Sequence, residues 1–121
     1  CIDMNDPWKT YRPGSSLNDL IGIDNTMGIW IHTIQFCNLT VRGIITASTA
    51  IPLYAGWNLV GYPTQATQTV GNALWGTGAD RVEVFDSASP YIKEVGPTYL
   101  MKPGEGYWIH VPADSIWKVN W

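Results

Sequence analysis

Charge is what this 121-residue sequence has least of. Seven Lys and Arg with ten Asp and Glu make 14% of the chain, against about 25% in an ordinary soluble domain. The seven basic residues are scattered, so no patch is available to neutralise a phosphate backbone, which excludes a nucleic-acid surface. No apolar run approaches the roughly 20 residues of a membrane span. Cysteine and histidine are scarce, at two each. Cys37 has no cysteine near it to share a metal, so neither a metal nor another cofactor is expected. The sequence also lacks G-x-S-x-G, H-E-x-x-H, G-x-x-x-x-G-K and C-x-x-C-H, the short patterns of nucleophile, zinc, phosphate and haem chemistry. Asp3, Asn5 and Asp6 read as a turn rather than a calcium loop. Asp86 and Asp114 are the carboxylates left for acid–base work, and nothing in the sequence pairs them. The expectation is that the chain is not an enzyme.

Cys1 and Cys37 form a disulfide candidate in an oxidising compartment. A nucleophilic Cys37 would need His32 beside it, and residues five apart on a strand point to opposite faces. Low charge and many Thr, Ser and Asn side chains point to an extracellular or cell-surface setting. Asn38-Leu39-Thr40 is a glycosylation sequon, making Asn38 the glycosylation candidate.

Aromatic residues, by contrast, are plentiful: seven Trp and six Tyr. β-Branched and aromatic residues mark strands over 29–36, 38–46, 81–85, 91–95, 106–111 and 116–121, and 51–62 reads as a hairpin about Ala55-Gly56. Ser16 begins a single helical turn over 16–21. A longer helix is expected over 67–75, capped by Thr67 or Thr69, with Val70, Ala73 and Leu74 on one face and Gly76 and Gly78 ending it. Pro103-Gly104 fits the centre of a type II turn. The fold class is therefore an all-β, mostly antiparallel sandwich or barrel-like module with one short helix near 67–75.

An internal repeat organises the chain. Gly28-Ile29-Trp30-Ile31-His32 matches Gly106-Tyr107-Trp108-Ile109-His110, 78 residues on, and without a gap Cys37–Val41 falls on Ser115–Val119. Upstream, Ile2-Asp3 and Pro7-Trp8 fall on Phe85-Asp86 and Pro90-Tyr91 at a shift of 83. Residues 1–43 thus read as the back half of a first module and 44–121 as a complete second one, packed as one compact unit. Cys1 lands on the position of Val84, mid-strand, which is a poor place for a lipidated amino terminus. A strand left without its partners exposes backbone and apolar faces, so residues 1–43 call for completion by the second module, by preceding chain, or by another subunit through strand addition.

G-W-N-L-V-G-Y-P at 56–63, V-G-N-A-L at 70–74, V-E-V-F-D at 82–86 and P-G-E-G-Y-W-I at 103–109 carry a resemblance. They resemble a β-rich module repeated in large secreted and cell-surface proteins of archaea and some bacteria, often beside immunoglobulin-like domains. The resemblance covers 51–121 well and 1–43 as a partial copy. It implies a structural motif of Gly56, Trp57, Asn58, Gly104, Gly106 and Trp108, with no catalytic residue attached. The function expected is a structural or adhesive repeat that associates with itself or with neighbouring modules, possible carbohydrate binding being the other reading. In that reading Trp8, Tyr11, Trp75, Tyr91 and Tyr99 stack on sugar rings; in the structural one Trp57, Trp108 and Trp117 fill the core and the other rings seal loops.

Overall fold

Apolar and polar side chains alternate through four six-residue segments, and each becomes a strand with one face buried: β1 (Ser48–Leu53), β2 (Gly56–Gly61), β7 (Gly106–Val111) and β8 (Ser115–Asn120). Between them come β3 (Gln68–Thr69), α1 (Val70–Ala73), β4 (Arg81–Phe85), β5 (Ile92–Val95) and β6 (Leu100–Met101). The computed structural model describes residues 8–44 and 46–120. Among these, the fold is all-β and antiparallel with one short helix: a four-stranded sheet ordered β2-β7-β4-β5, a pair β1-β8, and a small pair β3-β6.

The expected hairpin over 51–62 is not formed. β1 pairs with β8, and β2 pairs with β7, so the two strands pass from one sheet to the other instead of folding back. In effect β1–β2 is one bent strand running against β8–β7. Leu53 faces Ser115 and Gly56 faces Val111, so Tyr54 and Ala55 oppose Pro112, Ala113 and Asp114. This two-against-three corner acts as a bulge, and it shifts the inward phase from Ile51 and Leu53 in β1 to Asn58 and Val60 in β2.

The G-W-N motif builds that corner. Gly56 has φ +103°, a region other residues avoid. Asn58 is buried, and its Oδ1 accepts from the Tyr54 N–H at 2.9 Å while its Nδ2 donates to the Tyr54, Gly56 and Ile109 carbonyls at 2.8, 3.2 and 3.3 Å. Asp114 closes the other side, its carboxylate accepting from the Ala55 N–H at 2.8 Å. Lys102–Glu105 turns as expected, with Gly104 at φ +79° and the Glu105 N–H reaching the Lys102 carbonyl at 3.3 Å.

All three sheets turn buried side chains into one core. Trp117 lies at its centre, 1% exposed, stacked on Tyr62 at 5.8 Å. Its Nε1 donates to the Ala73 carbonyl at 2.6 Å, which ties β8 to the helix. The helix is shorter than the expected 67–75: Thr69 caps it by accepting from the Asn72 N–H, and Val70 and Leu74 are buried. Tyr107 is fully buried and anchors the 102–105 turn, its hydroxyl accepting from the Lys102 N–H and donating to Glu105, both at 2.8 Å. Desolvation pushes that phenol well above its ordinary range.

Residues 8–44 are different. The strands expected at 29–36 and 38–46 and the helical turn at 16–21 are absent from the described residues. The only regular contact there is an antiparallel bridge, Met27 to Val60, with the Gly28 N–H on the Leu59 carbonyl and the Gly61 N–H on the Thr26 carbonyl. The physical reason is that strand-forming residues need a partner strand. β-Propensity expresses fit to a half-buried pleated surface, and here β7 and β8 already hold β2 and β1. Around 10–19 the loop is closed by side chains, Asp19 accepting from the Thr10 N–H and Asn18 from the Arg12 N–H.

Candidate functional site

Alternation that buries Asn58, Val60, Tyr107 and Ile109 necessarily turns Trp57, Leu59, Trp108 and His110 to the opposite face of the four-stranded sheet. Arg81, Glu83 and Phe85 of β4 join them. Trp57 and Trp108 therefore do not fill the core as expected; of the three tryptophans assigned to it, Trp117 alone is buried. Their face divides into two parts.

At one end is a polar cluster. Trp57 meets the His110 ring edge-on at 5.2 Å, and the Arg81 guanidinium lies 5.1 Å from the Trp57 ring. Arg81 forms an ion pair with Glu94 at 2.8 Å and a longer one with Glu83 at 3.5 Å. His110 Nδ1 lies 2.6 Å from Asp80 Oδ1. That hydrogen bond, assisted by the charges of His110 and Arg81, holds the Asp80 carboxyl below its ordinary range.

At the other end the face is aromatic and roofed by the amino-terminal segment. Trp8 packs edge-on against Trp108 at 5.2 Å, and Trp30 against Phe85 at 5.5 Å. Between roof and sheet lies a cavity of 190 Å³ lined by Ile29, Trp30, Ile31, Leu59, Phe85, Gly106 and Trp108. Close approach is possible because glycines face one another. A Cβ on Gly61 would lie 2.8 Å from the Met27 carbonyl oxygen, and one on Gly28 would lie 2.8 Å from the Val60 carbonyl oxygen and the Leu59 side chain. Gly106, the counterpart of Gly28 in the repeat, sits beside it.

A second depression runs beside α1. It is a groove of 490 Å³ whose lining includes Leu74, Trp75, Asp80, Arg81, Val95 and Pro97. Trp75 is 89% exposed on it. Of the other sugar-stacking candidates, Tyr91 is exposed but does not line this groove, Trp8 rests on Trp108, and Tyr11 is exposed in the amino-terminal segment. Tyr99 packs against the core, and burial together with Glu105 raises its hydroxyl. The five rings are thus not assembled on one platform.

The remaining candidates stand apart. Cys37 is an exposed free thiol, while Cys1, its expected partner, lies outside the described residues, as do Asp3, Asn5 and Asp6. Asn38 and Thr40 are both exposed, leaving the sequon accessible. Asp86 accepts the Ala88 amide within its own turn, and Asp114 accepts the Ala55 amide across the β1–β2 corner. Among the described residues no cluster of three or more His, Cys, Asp or Glu is placed to hold a metal ion, and no helix is long and apolar enough to cross a membrane. The corner stapled by Asn58 and the roofed aromatic face were not read from the sequence; the recurrence of Gly28 and Gly106 is the signal that could have found the latter.

No protein-family model, curated protein or solved structure matches the chain. The geometry by itself defines the class: an antiparallel all-β fold built on a bent ribbon, with Trp8 and residues 27–31 laid over one face of the four-stranded sheet.

Proposed function

We propose that the chain is an extracellular or cell-surface structural and adhesive repeat module, of the G-W-N-L-V-G-Y-P kind, that joins neighbouring modules by strand addition in a surface filament or array. One observation carries this reading. Residues 28–41 repeat the residue pattern of β7 and β8, yet form no strand and leave Ile31, Ile34, Phe36, Leu39, Val41 and their backbone open to water. A segment of that kind is a ready template for a strand from elsewhere. A head-to-tail contact that does not close on itself propagates into a filament. Low charge and the exposed Asn38 sequon support the outside of a cell, with the segment as a glycoprotein surface. Sedimentation velocity over a wide concentration range, with negative-stain microscopy of the concentrated sample, tests it. Species that grow with concentration are expected; a folded monomer throughout contradicts it.

Carbohydrate binding is the second reading, supported by Trp75 on the groove beside α1. Soluble oligosaccharides should then quench Trp75 fluorescence and fail to do so in Trp75→Ala; shifts confined to other tryptophans contradict it.

A further inference from the structure

Ile29, Ile31, Leu39 and Val41 precede Tyr107, Ile109, Trp117 and Val119 by 78 residues each. The later four are at most 4% exposed, whereas the earlier four are between 40% and 66% exposed. The difference has one cause. Tyr107 faces Val60, Ile109 faces Asn58, Trp117 faces Ile51 and Val119 faces Thr49, all from the β1–β2 ribbon, and the earlier residues face no such ribbon. We infer that residues 28–41 are a receptor hairpin for a β1–β2-type ribbon supplied by a neighbouring module, an inference that rests on the proposed strand addition and names its occupant.

Three features select that occupant. The corner has the same length: Ile34, Gln35 and Phe36 stand where Pro112, Ala113 and Asp114 oppose Tyr54 and Ala55, so a ribbon bent by the same bulge fits. The phase also agrees. Asn38 and Thr40 fall on the positions of Ile116 and Lys118, which face solvent, so the sequon stays in water after docking. Finally, neither 28–41 nor 48–61 contains an Asp, Glu, Lys or Arg, so apolar burial and backbone pairing hold the contact together without desolvating a charge. A second copy of this chain is a source only where its ribbon has left its own β7 and β8. The donor is a module whose ribbon is spare.

A peptide of residues 46–63 added to the isotopically labelled full chain provides the test, read by amide chemical shifts. The expected result is a bound form with shifted, exchange-protected amides in 28–41 and an unchanged β7–β8. Removing the corner staple in the peptide with Asn58→Ala weakens binding about tenfold, and Ile31→Asp in the chain abolishes it while the β7–β8 signals remain. No shifts at millimolar peptide, shifts confined to β7–β8, or equal binding of a scrambled peptide overturns the inference. Sedimentation separates the two readings. A chain that assembles but ignores the peptide overturns this inference and leaves the assembly standing; a monomeric chain that binds the peptide supports this inference and removes the filament.

Discussion

Replacing Asn58 with Ala removes four hydrogen bonds from the corner where β1 becomes β2. The two shortest, 2.9 and 2.8 Å, go to the backbone of Tyr54. An average hydrogen bond contributes about 1 kcal/mol net, and a buried group stripped of its partner costs about 1–3 kcal/mol. Tyr54 lies near the surface and regains water, and the Ile109 carbonyl lies opposite in the β2–β7 ladder, so the four losses do not add in full. The expected destabilisation is therefore about 2–3 kcal/mol. At about 4–8 °C per kcal/mol for a unit of this size, Tm falls by roughly 10–20 °C. Near-UV circular dichroism of the Tyr62–Trp117 stack follows the transition. Asn58→Asp should be at least as damaging, because a carboxylate cannot donate to three carbonyls. A loss below about 0.5 kcal/mol, the size of an ordinary surface substitution, would refute the claim that Asn58 staples the corner.

Three further outcomes follow from other contacts. Trp117→Phe loses the Ala73 bond and core volume, and should lower the urea midpoint by an amount worth about 2–4 kcal/mol with m unchanged; a change in m instead would place the effect elsewhere. Gly61→Ala puts a methyl against the Met27 carbonyl, so the Gly28 amide should exchange faster while global stability changes by less than about 1 kcal/mol, and unaltered exchange would count against the contact. The Asp80 carboxyl is held low by His110, so the stability from that contact is present above the ordinary carboxyl pKa of 3.8 and is lost as pH falls through the lower folded value. In His110→Ala, carbon-13 titration of Asp80 should move back up toward 3.8, and an unmoved titration would rule out the contact.

The strands from 81 onward were legible because their alternation reports burial directly: Val82 and Val84, or Tyr107, Ile109 and Val111, point inward as the period demands. The turn at Pro103-Gly104 was legible for a local reason, since it needs only its own φ values. What the pattern does not encode is which strand lies beside which. Ile51–Leu53 and Trp57–Tyr62 read as a hairpin because they are adjacent and apolar, but Asn58 and Gly56 build a corner there, and the partners come from the far end of the chain. The same blindness misassigned 29–36. Its residues suit a strand, and whether they form one depends on a partner that composition cannot display. Trp57 and Trp108 were placed in the core because large rings usually are, but phase, not size, decides the face.

The central claim, that residues 28–41 await a strand, is tested most directly by amide hydrogen exchange in the chain alone and with the 46–63 peptide bound. Rapid exchange through 28–41 is predicted in the chain alone and strong protection at alternate residues with the peptide, with β7 and β8 protected in both. Equally rapid exchange of 28–41 in the two samples would contradict it.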